Sequence, residues 1–445
     1  MSGLRIGVIC ACLAVLLPAS ASAFTLRQID RCESDNDESP DQQISDCTAV
    51  IESGRLHGKE LARAYYDRGI AYKAERELDR AIADYDQAIR LDPKYAHAYL
   101  NRGNVYKAKG DLDHALADYN EAIRFDPKDA DAYNDRGITY KAKGDFDRAI
   151  ADYDEAIRLD PKYEPAYVDR CNALRHRGDY SAALADCTQA IKLDPKDEDG
   201  YVNRCVAYAD QGNYAAGVAD CTQALGLNPN NEDAYVDRCN ALGHLGNYSA
   251  ALADCTQAIR LDPKDDIAYE DRCQNYNDRK NYGSAVADCT QAIALNPKNA
   301  QAFSGRCIAY DGLQNDGAAI ADCTQAIALD PRYANAYNNR CWAEAIIGQL
   351  QAALADCNQA LQLLPNNAVI LSNRGLVQLK LGSFQQAITD YSAAITQNAK
   401  DASSLYGRGM AKLKSGDTAG GKADVAAAKT IQPDIDKVYA GYGVT

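Results

Sequence analysis

The sequence predicts an all-α chain, an α-solenoid built from helical hairpins, on three observations. Proline recurs at Pro93, Pro127, Pro161, Pro195, Pro229, Pro263, Pro297, Pro331 and Pro365, a spacing of 34 residues. Between successive prolines lie two stretches whose apolar residues fall three and four apart, the spacing of one helix face. Cysteine occurs once on each of those helices in six consecutive repeats. Such a hairpin cannot bury its apolar face alone and must stack on its neighbours, so the 445 residues need no conventional division and count as one continuous array.

From the N-terminus, residues 1–23 are expected to be a secretory signal peptide. Arg5 supplies a basic start, Ile6 to Leu17 an apolar stretch too short to span a membrane, and Ala21-Ser22-Ala23 a small-residue cleavage pattern near Ala23. Cys10 and Cys12 precede a complete apolar segment, which argues against lipid attachment there. Residues 24–61 form a degenerate N-terminal capping repeat: Asp46-Cys47-Thr48-Ala49-Val50-Ile51 echoes Asp186-Cys187-Thr188-Gln189-Ala190-Ile191. The acidic stretch from Glu33 to Pro40 is expected to be a loop.

Residues 62–435 hold eleven full repeats, starting at Ala62, Ala96, Ala130, Glu164, Glu198, Glu232, Asp266, Ala300, Ala334, Ala368 and Ala402. In each, a first helix (helix A) is followed by a second (helix B). Within 96–129, Tyr99, Gly103 and Tyr106 form one stripe on helix A, and Ala115, Tyr119 and Ala122 the facing stripe on helix B. Gly110-Asp111 makes the turn, with Asp111 as N-cap and Pro127 just past the end. The cap recurs as Asp145, Asp179, Asn213, Asn247, Asn281, Asn315, Ser383 and Asp417. Only a tail, 436–445, follows. The C-terminal face is expected to be capped by Lys412, Lys414, Lys422 and Lys429, or else by a partner.

This pattern resembles the tetratricopeptide repeat family over about residues 62–435. The resemblance rests on an aromatic at position 4 (Tyr65, Tyr99, Tyr133, Tyr167), Gly or Cys at position 8, Tyr at position 11, Ala at positions 20 and 27, and Pro at position 32. Ala399 in place of the proline and Val425 in place of the helix B aromatic depart from it. The resemblance implies a right-handed superhelical solenoid whose helix A faces line a groove that holds a peptide or partner protein. The family's chaperone-binding members clamp a terminal carboxylate with Lys and Asn. Position 5 here carries Tyr66, Leu100, Asn134, Val168, Val202 and Val236, which does not supply that clamp.

Beyond residues 1–23 fourteen cysteines remain, an even number, and three uses compete for them: disulfides, metal ligation and redox chemistry. No Cys-x-x-Cys occurs, which disfavours the last two. Helix axes about 8–10 Å apart bring facing Cα atoms to roughly 3.4–5.4 Å, overlapping the disulfide window. Height on the helices does not choose between pairing within and between repeats, but parity does. Pairing between repeats strands Cys171 and Cys357, whose outer neighbours are Tyr153 and Gly375. The expected bonds are therefore Cys32–Cys47 and, within 164–367, Cys171–Cys187, Cys205–Cys221, Cys239–Cys255, Cys273–Cys289, Cys307–Cys323 and Cys341–Cys357. The same two positions hold Gly69/Tyr85, Gly103/Tyr119, Gly137/Tyr153 and Gly375/Tyr391 elsewhere, a small residue beneath a large ring.

Arg at position 7 and Asp at position 23 occur in all eleven repeats and are expected to form a structural ladder. Residues that vary on a fixed frame are better binding candidates. At position 12 Lys73, Lys107, Lys141 and Arg175 give way to Ala209, Gly243, Asn277 and Asp311, so a basic N-terminal groove suited to an acidic peptide is one reading and a solvated face the other. At position 13 His176, Asp210, His244 and Asp278 form a polar ladder with marginal scope for a metal. Trp342, the sole tryptophan, is either packing or a binding anchor.

The net charge of −15 disfavours nucleic acid and anionic membranes as partners. No nucleophile elbow, phosphate loop or zinc signature is present, so neither enzyme activity nor a cofactor is expected. The favoured function is an exported scaffold for a partner protein or peptide, periplasmic or secreted, without membrane insertion. The alternatives are a binder of small molecules or cell-wall fragments with at most weak hydrolase activity, as in Sel1-like proteins, and a purely structural envelope spacer. Partner identity and oligomeric state are not encoded in these motifs.

Overall fold

The computed structural model of the chain describes residues 29–32 and 39–444. The expected signal segment 1–23 and the stretch 33–38 lie outside them. Every regular element among the described residues is an α-helix. None is long and apolar enough to cross a membrane. The described residues fall into two compact units, divided between Lys196 and Asp197. In an array each repeat touches only its neighbours, so no single core unites all of it.

In the first unit the helix Pro40–Glu52 precedes the hairpins Gly58–Ala74/Leu78–Leu91, Ala96–Ala108/Leu112–Phe125, Ala130–Ala142/Phe146–Leu159 and Glu164–Arg177/Tyr180–Leu193. Seven more follow in the second, from Glu198–Asp210/Tyr214–Leu227 to Ala402–Ser415/Thr418–Ile431. Ten of the eleven A helices begin on the repeat starts read from the sequence. The first begins at Gly58 instead of Ala62, because the residues before it continue the helix without a breaker.

The hairpin turn needs a left-handed residue at position 15. Gly110, Gly144, Gly178, Gly212, Gly246, Gly348, Gly382 and Gly416 supply it with positive φ, and Arg76, Lys280 and Gln314 adopt it at 60°, 59° and 60°. Capping is less uniform than expected. The side chains of Asp111, Asp145, Asp179, Asn213, Asn315 and Asp417 accept from the backbone N–H three residues on, whereas those of Asn247, Asn281 and Ser383 do not.

Between the two helices of a hairpin the packing is close. An added Cβ at Gly69, Gly103 or Gly137 would lie 2.7, 2.8 or 2.6 Å from the ring of Tyr85, Tyr119 or Tyr153. Where the glycine and tyrosine are replaced by cysteines, the two sulfurs are bonded within the repeat. Cys171–Cys187, Cys205–Cys221, Cys239–Cys255, Cys273–Cys289, Cys307–Cys323 and Cys341–Cys357 each have Cα atoms 5.5 Å apart, and Cys32–Cys47 has them 4.8 Å apart.

Position 7 and position 23 form a bidentate pair in every repeat, from Arg68–Asp84 to Arg408–Asp424. In the second unit the remaining guanidinium nitrogen of Arg238, Arg272, Arg306 and Arg340 donates to Thr222, Thr256, Thr290 and Thr324 of the preceding repeat, stitching neighbours together. The aspartates are buried, so this ladder is not the weak surface pairing its charges alone suggest.

The expected tail is partly a helix, Ile435–Gly441, and the end of the array is covered by apolar side chains more than by lysines. Ile435 is fully buried and Tyr439 is 2% exposed, in one cluster with Leu376, Tyr391, Leu405 and Tyr406. Lys429 and Lys412 pair with Asp436 and Asp424 at its edge. A helical turn with two apolar anchors covers more hydrophobic surface than ammonium groups can.

Candidate functional site

The frame residues are alike in every repeat, so chemistry that distinguishes one part of the chain comes from the variable residues of helix A. At position 12 the side chains of the candidate basic groove are engaged within the chain. Lys107 and Lys141 end on Asp135 and Asp169, at 2.6 and 2.9 Å. Lys73 donates to Asn101 at 3.4 Å, with burial lowering its pKa, and Arg175 meets the His176 ring. Consecutive A helices are neighbours, so position 12 reaches position 6 of the next repeat, a partner 28 residues away that is invisible within one repeat.

The histidines at position 13 are stacked. His176 lies 5.2 Å from Phe146 at 13°, and His244 lies 4.3 Å from Tyr214 at 9°. Each ring covers the first helix B residue of the preceding repeat. No cluster of His, Cys, Asp and Glu suited to a metal occurs among the described residues.

The second unit carries a cleft of about 650 Å³ along its A helices. Asn240 and His244 line it from one repeat, Glu270, Asp271, Gln274, Asn275 and Asp278 from the next, then Ser304 and Ile308, then Asn335 and Asn339, and last Val369. Amides and carboxylates predominate. Asp271 is buried and accepts from Asn240 Nδ2 at 3.0 Å. Burial raises the carboxyl pKa values of both Glu270 and Asp271, and the Asp271 charge raises that of Glu270 further. Asn275 is 3% exposed and donates to the Asp271 carbonyl at 2.9 Å. Its Oδ1 has no partner and faces Gly243, where a Cβ would stand 2.6 Å away.

None of Glu270, Asp271, Asn275 or Asn339 stands out in the frame-based reading, yet a signal exists. Position 10, small or apolar in the neighbouring repeats (Ala207, Ala241, Ala309, Ala343), is Asn275, and position 5 changes from Val202 and Val236 to Glu270. A polar residue at an otherwise buried position marks a place where the helix is not optimised for packing alone.

Trp342 lies further along the same face. Its indole N–H donates to Asp311 at 3.2 Å, and its ring meets Tyr442 edge-on at 5.0 Å and 83°. Burial raises the Asp311 carboxyl to about 6, with the nearby Asp316 charge adding to it and the indole bond opposing it. A cavity of about 420 Å³ lies on one side of the Trp342–Tyr442 contact and one of about 510 Å³ on the other, each lined by both rings. Val369 lines both the 420 Å³ cavity and the polar cleft.

Family models described as "TPR repeat" match residues 74–110, 103–144 and 172–212. Models described as "Tetratricopeptide repeat" match 130–163, 204–266 and 373–434. Together they span more than half of the chain. No curated protein matches it in sequence. Among solved structures the chain is similar to the APC/C hetero-tetramer Cut9-Hcn1, with a TM-score of 0.55 and 14% identity over 93% of this chain and 92% of that one. It is also similar to a tetratricopeptide repeat protein from Parabacteroides merdae, with a TM-score of 0.47 and 21% identity over 56% of this chain and 98% of that one. Tetratricopeptide repeats are in general modules of protein–protein interaction, and their arrays are in general not enzymes. With the repeat models along its length and the hairpin frame they describe, the chain belongs to the tetratricopeptide repeat family.

Proposed function

We propose that the protein is an exported, non-enzymatic interaction scaffold that holds a partner polypeptide on the helix A face of its second unit. One observation carries this reading: the cleft of about 650 Å³ is lined by residues that vary between repeats while the buried frame stays constant. Amides such as Asn240, Gln274, Gln301, Asn335 and Asn339 pair with an extended backbone as donor and acceptor at once. Glu270 and Asp278 favour a basic side chain in that backbone, the opposite sign from the acidic peptide suggested by position 12. The seven disulfides support an oxidising compartment, periplasmic or extracellular, in keeping with the signal-like residues 1–23.

Selection of a displayed peptide library on the oxidised protein tests it. Peptides with Lys or Arg are expected to be enriched, and to bind at least tenfold more weakly to Glu270→Gln/Asp278→Asn. Binding to Lys73→Ala/Lys107→Ala/Lys141→Ala/Arg175→Ala is expected to be unchanged. Loss on the quadruple variant alone would return the site to the first unit, and no enrichment at all would favour a small ligand or a spacer.

A further inference from the structure

The segment after the last repeat does more than cover the end of the array. Ile435 already lies fully buried against it. From there the chain runs back along the A helices. Tyr439 packs on Tyr406 at 4.8 Å, donates to the Ser403 carbonyl at 2.7 Å and meets the Tyr391 hydroxyl at 3.4 Å. Tyr442 reaches Trp342, two repeats before the last, and Val444 is buried in the cluster with Leu376 and Leu379. Trp342 and Leu376 occupy position 9 of their repeats, as do Asn240, Gln274 and Ile308 in the polar cleft. The segment therefore lies on the face that elsewhere forms the cleft.

It does not fill the groove: clefts open to solvent, of about 420 and about 510 Å³, flank the Trp342–Tyr442 contact. The anchoring element is a helix of 7 residues, and helices this short are marginal by themselves. A tethered occupant of this kind competes at an effective concentration in the millimolar range for a short flexible connection. It is displaced by a segment that makes the same aromatic contacts and also fills the flanking space.

We propose that the groove between Trp342 and Ser403 is a peptide site which the chain fills with its own residues 435–444, and that its external ligand is a short helical segment presenting two aromatic side chains about one turn apart. This goes beyond the scaffold reading and does not depend on the polar cleft, which recognises charge and backbone. The occupant is a separate partner chain, since the groove's space exceeds what the tethered segment fills.

Trp342 is the sole tryptophan, so its fluorescence reports on the groove directly. The full chain is compared with full-length Tyr442→Ala, which loosens the segment but keeps Ile435 and Tyr439 over the array end. The probe is a synthetic peptide of the sequence 434–444, beside the same peptide with both tyrosines changed to alanine. Emission of the variant is expected to shift to the red. The tyrosine peptide should reverse that shift at a concentration at least tenfold below the one needed to perturb the parent, and the alanine peptide should have no effect. Unchanged emission in the variant, or no response to the tyrosine peptide, overturns the proposal. So does a dimer of the parent that dissociates in Tyr442→Ala, because the occupant is then a second copy. If the variant fails to fold, hydrogen exchange on the parent decides. Residues 435–444 are expected to exchange faster than the helix Ala402–Ser415, and equal protection overturns the proposal.

Discussion

Single atoms separate positions that the repeat makes equivalent. Tyr85, Tyr119 and Tyr153 occupy one place in three repeats and are fully buried. Tyr119 donates to Asn104 at 2.7 Å, whereas the hydroxyls of Tyr85 and Tyr153 have no partner. A buried hydroxyl without a bond costs desolvation and returns nothing, and a bonded one contributes about 1 kcal/mol. Tyr119→Phe is expected to destabilise by about 1 kcal/mol and Tyr85→Phe to be neutral or stabilising, as read from urea midpoints. Equal losses at both would show that the hydroxyl bond is not what differs. Sequence reading finds all three tyrosines as core, because their spacing is local. Which of them is satisfied depends on position 9, where Asn104 stands in one repeat and Ile70 and Ile138 in the others.

At the scale of the element, the turn and helix Asp266–Asp278 depart from the frame in opposite ways. Gln314 and Lys280 hold a left-handed backbone that eight repeats give to glycine. That conformation costs a side-chain-bearing residue roughly 1–2 kcal/mol, part of which glycine offsets by its larger unfolded entropy. Gln314→Gly is therefore expected to raise stability by about 0.5 kcal/mol or more, and Gly178→Ala, at φ +87°, to lower it.

The acidic helix faces contribute a pH dependence. Carboxyls with folded pKa values above their unfolded ones bind protons more readily when folded, so their stabilisation is complete below about pH 4 and lost as pH rises through the folded value. Asp311 is pushed up to about 6 and Glu344 to about 7, each chiefly by burial, and Glu270 and Asp271 are raised as well. The melting temperature of the second unit is expected to fall between about pH 5 and about pH 8, and Glu344→Gln should flatten that fall. A curve that rises with pH would contradict these assignments. The hairpin itself was legible from apolar spacing and turn glycine. The cleft was not, because the carboxylates Glu270, Asp271 and Asp278 of one helix meet amides such as Asn240 and Asn339 from neighbouring A helices, and repeat-by-repeat reading treats each helix face as solvated.

For the whole molecule, bracing is uneven. Six repeats between 164 and 367 are cross-linked, whereas those of 96–159 rely on glycine and tyrosine contact. Each bond spans 16 residues, a loop whose closure stabilises by about 3 kcal/mol in the chain-entropy model. Cys239→Ala/Cys255→Ala is expected to raise hydrogen exchange in its own hairpin and the adjoining ones while leaving 96–159 unchanged, since an array transmits stability through nearest neighbours. Faster exchange throughout would mean that the chain unfolds as one cooperative block.

By itself the sequence determined the all-α hairpin frame and the Arg–Asp ladder, which follow from spacing within one 34-residue unit, and the cysteine pairs, which follow from that spacing together with parity along the repeats. Tertiary structure alone decided which variable residues meet. Lys107 finds Asp135, Glu270 shares a cleft with Asn339, and Tyr442 comes to rest on Trp342. The reason is physical: the frame is fixed by contacts inside a hairpin, whereas the site is made between hairpins, where partners are separated by whole repeats and brought together only by stacking.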